Sequence, residues 1–335
     1  MSNNSPLIDG ENRAVRYLRL SVTDRCNLDC VYCRGVDRPD FIPCDRVLRY
    51  EHMLRFAGIV KNMGVTKIRL TGGEPLVRKD CAAFMRRLRS EFPDLDLALT
   101  TNGVLLESYL DTLKEIRPVS VNVSLDSFNE ADYLKLTGHN SLSIVQANIS
   151  ALLEAGIKVK INAVAIKGVT DAGIDAFLKF ASEYPVDVRF IEFMPMGRGT
   201  IWKKASFLPA SRLLELASGR LDLTPARDPE STSGPARMYD IKDGAGRLGF
   251  ISALTSHFCA SCNRLRLTSE GNLRTCLFDD REYRLGGALR DPRVSDAKIA
   301  AIVRAACRTK AVGARLLSGR RRRAVADGGM VGIGG

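Results

Sequence analysis

The chain has 335 residues, 45% of them hydrophobic, enough for one large domain or two moderate ones around a real core. Its formal net charge is +12, but residues 300–335 carry eight basic side chains against one acid, Asp327, so the excess reads as a solvated terminal run and argues against a nucleic acid as the main partner. No run approaches the roughly 18 apolar residues of a membrane span, and the N-terminus lacks the basic and apolar regions of a secretory signal. A cytoplasmic protein is therefore expected, and its nine cysteines read as metal ligands or plain thiols.

Strand-like runs alternate with amphipathic stretches through the first two thirds of the chain. Strands are expected at 17–22, 67–70, 95–100, 119–125, 158–165 and 188–193. Helices are expected at 47–63, 80–92, 105–116, 143–155 and 171–183, with Gly64, Gly103 and Gly156 as punctuation and Thr170-Asp171 as a cap. Six strand–helix units in succession imply an α/β fold whose parallel sheet curls into a partial (βα)6 TIM-like barrel. Chemistry in such barrels gathers at the C-terminal strand ends. Cys26–Cys33, Thr71-Gly72-Gly73-Glu74-Pro75, Thr100-Thr101-Asn102-Gly103, Ser124-Leu125-Asp126-Ser127 and Glu192-Phe193-Met194 all fall there. Five motifs in register argue for one shared pocket.

Beyond residue 200 the pattern changes. A helix is expected at 207–217, then short antiparallel strands at 237–241, 247–254 and 265–268, and helix again over 281–307. Residues 328–335 carry no secondary-structure signal. The expected organisation is an N-terminal tail (1–14), the partial barrel (15–200), a C-terminal mixed α+β extension (201–310) and a basic, glycine-rich tail (311–335).

Cys26, Cys30 and Cys33 form a C-x3-C-x2-C group. Three thiolates that converge supply only three ligands, so a four-iron cubane held by them keeps one iron open to a substrate. Cys259, Cys262 and Cys276 form a second group of three. It reads either as a structural zinc site closed by His257 or a distant Cys, or as a second open cluster. Cys44, Cys81 and Cys307 are isolated and read as plain thiols. Arg264 and Arg266, two apart, share one strand face. There they are either a solvated pair or a fork for phosphate oxygens.

The C-x3-C-x2-C spacing, with Tyr32 before the last Cys, resembles the signature of the radical S-adenosylmethionine (SAM) enzymes. Together with Leu18–Cys26, Arg69–Leu76, Thr100–Gly103, Arg189–Glu192 and the second cysteine group, the chain resembles the GTP 3′,8-cyclase family over about residues 15–277 and at Gly334-Gly335. That resemblance implies two [4Fe-4S] clusters, one on Cys26, Cys30 and Cys33 and one on Cys259, Cys262 and Cys276. It implies SAM contacts at Tyr32, Gly73, Ser124 and Met194, and GTP contacts at Arg19, Arg69, Thr100, Lys160, Arg264, Leu265 and Arg266. Catalytic roles fall by the same resemblance to Arg19, Arg264, Arg266 and the terminal Gly334 and Gly335.

The implied reaction is the first step of molybdenum cofactor biosynthesis. A 5′-deoxyadenosyl radical from SAM takes the ribose 3′ hydrogen of GTP, and C3′ then bonds to C8 of guanine. The implied partners are GTP as substrate, a flavodoxin- or ferredoxin-like electron donor and the cyclic pyranopterin monophosphate synthase acting next, with a homodimer allowed and no membrane. Arg34-Gly35-Val36 after Cys33, and residues 311–329 with the Arg320–Arg323 run, depart from the family pattern. A peptide-modifying radical SAM maturase and an iron–sulfur nucleic-acid-binding protein are the competing classes.

Overall fold

The computed structural model describes residues 6–33, 40–197, 200–226, 234–319 and 330–333. Six strands follow in the expected order: β1 (Tyr17–Ser21), β2 (Lys67–Thr71), β3 (Asp96–Thr101), β4 (Val119–Ser124), β5 (Lys158–Ala165) and β6 (Asp187–Glu192). Then come β7 (Leu223–Pro225), β8 (Arg237–Ile241), β9 (Arg247–Ile251), β10 (Arg264–Leu267), β11 (Asn272–Arg274) and β12 (Tyr283–Arg284). The helices are α1 (Tyr50–Lys61), α2 (Cys81–Glu91), α3 (Leu110–Glu115), α4 (Glu130–Thr137), α5 (Leu142–Glu154), α6 (Ile174–Glu183), α7 (Ala210–Ser218), α8 (Gly286–Arg290), α9 (Asp296–Arg308), α10 (Gly313–Gly319) and α11 (Met330–Ile333).

One sheet carries all twelve strands, in the order β12-β11-β10-β1-β2-β3-β4-β5-β6-β9-β8-β7, and it is not closed by hydrogen bonds among the described residues. It is the partial barrel expected, with one difference. The C-terminal strands do not form one group: β10 adds in parallel beside β1 and β9 in parallel beside β6, at opposite edges. The antiparallel pairs among the described residues are β8 on β9, β7 on β8, β11 on β10 and β12 on β11. Eight parallel strands therefore wall the interior.

Side chains alternate strictly across this wall. Leu18 and Leu20, Ile68 and Leu70, Leu97 and Leu99, Val121 and Val123, Val159 and Ile161, Val188 and Phe190, and Leu265 and Leu267 face outward into the core beneath the helices. Their neighbours face inward, and these are polar. The register places Arg266, Arg19 and Arg69 side by side, and Thr100, Asn122, Lys160, Asp187 and Arg247 side by side opposite. A sheet whose outer face is apolar and inner face charged can only be stable around a solvent- or ligand-filled channel.

Several local expectations are corrected. Helix α4 was not anticipated, since only Tyr133, Leu136 and Thr137 of its eight residues are buried; the Asn129 side chain caps it by accepting from Asp132 N at 3.0 Å. Thr170 and Asp171 cap no helix. Their side chains accept from Ile166 N (2.9 Å) and Gly168 N (2.6 Å), closing the turn after β5, and α6 begins three residues later. Within the stretch read as one helix over 281–307 lie β12, α8 and α9. The terminal segment has a helical turn, α11, whose Ile333 is buried against Met196 and Phe278.

Phe190 is fully buried between Phe177, edge-on at 5.4 Å, and Phe250, stacked at 5.8 Å. Phe190→Ala should lower the unfolding free energy by about 3–5 kcal/mol, seen as a reduced urea midpoint.

Candidate active site

A cavity of about 790 Å³ runs the length of the barrel interior. At the C-terminal strand ends it is walled by Cys26, Cys30 and Cys33, with Tyr32, Gly73, Ser124, Asn102 and Met194. At the opposite end Tyr17, Lys67, Asp96, Lys158 and Arg247 line its mouth. Arg19, Arg69, Thr100, Lys160, Arg189, Arg264 and Arg266 line the middle.

The cysteine loop is held by its neighbours. Gly72, at φ 148°, and Gly73 run against the chain just before Cys26, and a Cβ on either would lie 2.3 Å from the carbonyl oxygen of Thr23 or Arg25. The Gly-Gly pair is thus required by close backbone approach. Glu74 is completely buried and accepts from Leu76 N (3.0 Å), Thr101 Oγ1 (2.9 Å) and Asn102 N (2.6 Å), tying the β2 and β3 loops together. Burial pushes its carboxyl up to about 7 against those hydrogen bonds. Asn102 Nδ2 donates to Asn27 Oδ1 at 2.8 Å, and Tyr32 donates to Asp126, which also accepts from Val164 N at 2.7 Å.

Burial pushes the Cys26 thiol up, and it pushes Cys30 well up with the help of Asp126, Cys33 and Cys26. A buried thiol raised by burial and by its neighbours, as Cys30 is, is a poor anion by itself and a good ligand for a cationic metal core. No three His, Cys, Asp or Glu side chains among the described residues converge as ligands of a single ion would. The thiolates of a cubane bind different irons and stand further apart. Cys26, Cys30 and Cys33 all line the same end of the cavity, so as a donor set they suit a cluster left open toward it.

Cys259, Cys262 and Cys276 surround a second, smaller cavity that shares Phe258, Arg264, Arg266 and Leu277 with the first. His257 does not join them; its Nδ1 meets Ala253 O at 2.9 Å. Burial raises the Cys262 thiol, but Arg264, Lys310 and Arg266 outweigh it and bring it down to about 7. Glu192, also buried, accepts from Ala210 N (3.0 Å), Leu254 N (2.7 Å) and Thr255 N (3.0 Å), and so positions the loop that leads to this group. Cys44 is exposed and accepts from Arg25, whereas Cys81 and Cys307 are buried apart from both groups.

Nine cationic side chains line the large cavity against three carboxylates, which decides for an anionic ligand. Arg69 is fixed on three sides, donating to Tyr17 Oη (2.6 Å), Leu99 O (2.7 Å) and Thr100 Oγ1 (3.3 Å). Lys160 pairs with Asp187 at 2.7 Å, which also pairs with Arg247 at 2.9 Å. Burial, then the Arg189 charge, pulls Lys160 down to about 8. Buried polar atoms facing this space lack protein partners, among them Asn122 Oδ1, Asn162 Oδ1, Ser120 Oγ and Arg189 Nε.

Every site residue expected on a strand or loop of the barrel lines the cavity except Leu265. Its side chain faces the opposite way and is fully buried in the core, because it alternates with Arg264 and Arg266. Gly334, Gly335 and the Arg320–Arg323 run lie outside the described residues. Sequence reasoning missed Tyr17, Lys67, Asn122, Asn162 and Arg247; inward period-two positions on each strand are the signal that finds them.

This is the architecture of a radical SAM enzyme, and residues 20–181 match the radical SAM superfamily model. Residues 186–315 match the model described as Molybdenum Cofactor Synthesis C. Curated relatives are the GTP 3′,8-cyclase of Pelotomaculum thermopropionicum, 42% identical over 94% of this chain and 97% of that one, and that of Desulforamulus reducens, 38% identical over 91% and 94%. The chain belongs to the GTP 3′,8-cyclase family. Among solved structures, Streptococcus suis SuiB bound to S-adenosylmethionine aligns with TM-score 0.64 over 94% of this chain and 76% of that one, at 15% identity, a likeness of fold alone.

Tyr17 tests the electrostatics of the cavity. Burial is the largest single influence on its phenol and raises its pKa, but Arg69, Arg19 and Lys67 together bring it down to about 7. A phenol whose pKa is lower in the folded than in the unfolded chain adds stability that is fully present above pH ~10 and lost as pH falls through about 7. The melting-temperature difference between the native protein and Tyr17→Phe should therefore widen from pH 7 to pH 10; a constant difference would contradict this.

Proposed function

We propose that this chain cyclises GTP to (8S)-3′,8-cyclo-7,8-dihydroguanosine 5′-triphosphate, the first step of molybdenum cofactor biosynthesis. One observation carries the reading. A single cavity joins a three-cysteine loop at one end to inward-facing cations along its middle and far end, and a second three-cysteine group surrounds a smaller cavity that shares Phe258, Arg264, Arg266 and Leu277 with it.

Cys26, Cys30 and Cys33 would hold the first [4Fe-4S] cluster, with Tyr32, Gly73, Ser124 and Met194 along the space for SAM. When bound, that pair supplies a 5′-deoxyadenosyl radical able to take the ribose 3′ hydrogen. Arg19, Arg69, Lys160, Arg264 and Arg266 would bind and orient the triphosphate, with Thr100 beside Arg69; guanidinium forks and an ammonium at separate points suit three phosphates. Holding the ribose and the base in one fixed pose is what lets C3′ meet C8 of the same nucleotide. The barrel wall excludes water from a radical that would otherwise be quenched.

Cys259, Cys262 and Cys276 would hold a second [4Fe-4S] cluster facing the base. Leu265 would act through its backbone if at all. A catalytic role for Gly334 and Gly335, which lie outside the described residues, rests on the resemblance; the described residue before them, Ile333, is buried against Met196 of the cavity wall. The division at residue 200 suits function more than packing, since β9 and β10 complete the same wall. A flavodoxin- or ferredoxin-like donor, the cyclic pyranopterin monophosphate synthase as next enzyme, a homodimer as an allowed assembly and a cytoplasmic setting complete the proposal.

Anaerobically reconstituted protein should hold about eight irons, and with SAM, dithionite and GTP should yield a product that acid and oxidation convert to a pterin. Good SAM cleavage without GTP consumption would overturn the reading. Cys30→Ala should abolish SAM cleavage. Arg266→Ala should keep uncoupled SAM cleavage while weakening GTP binding at least tenfold, about 1.4 kcal/mol or more; equal loss of both would contradict the assigned roles.

A further inference from the structure

Beneath the second cysteine group lies a buried charge cluster that neither the nucleotide nor the first cysteine group explains. Asp9, Arg13 and Lys310 come from the two ends of the chain, and their side chains are 0%, 10% and 1% exposed. Asp9 Oδ2 accepts from Arg13 Nε at 2.7 Å and faces Lys310 Nζ at 3.6 Å. Its Oδ1 accepts from the backbone N–H groups of Glu11 and Arg13, both at 3.0 Å. Both cations reach onward to the cysteine loop: Arg13 Nη1 donates to Cys259 O, and Lys310 Nζ donates to Cys262 O at 2.8 Å.

One carboxylate against two cations leaves a positive charge without a counter-charge, in a place where that is costly. Arg13 Nη2 is buried with no hydrogen-bond partner, and Arg13 and Lys310 both line the small cavity around Cys259, Cys262 and Cys276. On the same side the backbone at Gly313 approaches so closely that a Cβ would lie 3.3 Å from Cys276 Sγ and 3.4 Å from Cys259 Sγ. The chain thus leaves room there for no further side chain, and supplies charge and N–H donors instead.

We propose that Asp9, Arg13 and Lys310 form a cationic cradle whose missing counter-charge is the anionic cluster on Cys259, Cys262 and Cys276, with Arg13 Nη2 donating to one of its sulfurs. The cradle rests on the two-cluster reading. Three thiolates on a four-iron core give a net negative group, more negative when reduced. Nearby positive charge and hydrogen bonds to sulfur favour that reduced form and raise the potential. Arg13 and Lys310 are positioning residues, holding the Cys259 and Cys262 carbonyls while tuning the centre they flank.

The test uses full-length protein carrying Cys26→Ala, Cys30→Ala and Cys33→Ala, so that only the second centre remains, reconstituted anaerobically and titrated by electron paramagnetic resonance. About four irons per chain are expected. Adding Lys310→Met or Arg13→Gln should shift the midpoint to more negative potential and speed iron loss to a chelator. Adding Lys310→Arg should leave the midpoint unchanged. Iron retained with an unshifted midpoint in both charge-removing variants would overturn the cradle and leave two clusters standing; so would an equal shift in Lys310→Arg, which would mark structural damage rather than charge. Absence of any iron–sulfur centre in the triple variant would overturn the two-cluster reading and the cradle with it.

Discussion

Arg69, Arg189 and Arg266 are each almost completely buried, yet they face one another across the inside of an open barrel rather than a set of carboxylates. Removing such groups from water is expensive unless something negative replaces it. The protein offers partial answers: the Tyr17 phenol and the Leu99 carbonyl accept from Arg69, and the Asp187 charge favours the Arg189 cation. They do not balance the charge, and burial pulls both Arg19 and Arg189 down to about 10. A polyanionic ligand is the element this interior lacks. A nucleoside triphosphate would stabilise the fold by binding, since only the folded state assembles the cations.

The same constraint orders the rest of the architecture. A charged lining requires an apolar outer face, which the helices cover; it also requires each strand to keep its register, since a one-residue slip would exchange the two faces. Two buried glutamates hold the loops at the reactive end. Glu74 joins the loops after β2 and β3 beneath the first cysteine group, and Glu192 joins β6 to the segment that leads into the second. Each takes only backbone or hydroxyl donors, so each acts as a fixed strut rather than as an acid or base. No general base of the usual kind is needed when a radical removes hydrogen.

Much of this was legible in the chain. Residues 158–165 read as a strand with matching bounds because Val159, Ile161, Ala163 and Ala165 alternate with Lys158, Lys160 and Asn162; β1, β2 and β4 differ from expectation by one residue at one end, and β3 and β6 by one residue at both. The cysteine groups were visible by spacing, and Arg264 and Arg266 by their period of two. What the chain hid depends on long-range pairing. Nothing local to residues 247–251 or 264–267 says that these strands part to opposite edges of the barrel, since parallel pairing is set by partners some 60 to 250 residues away. Leu265 shows the cost of carrying a site over as a run: its neighbours face the cavity and it cannot. Tyr17 and Arg247 escaped notice because a tyrosine or arginine at a strand end is unremarkable until its neighbours across the sheet are known.

On the proposed function, one cavity aims a radical made at the Cys26–Cys33 end at a nucleotide held by the cations further along it. The most direct measurement is the fate of deuterium when the anaerobically reconstituted protein turns over GTP deuterated at the ribose 3′ carbon. Deuterium should appear in 5′-deoxyadenosine, in step with GTP consumed. Unlabelled 5′-deoxyadenosine formed alongside GTP consumption would contradict the claim, because the radical would then be drawing its hydrogen from somewhere else.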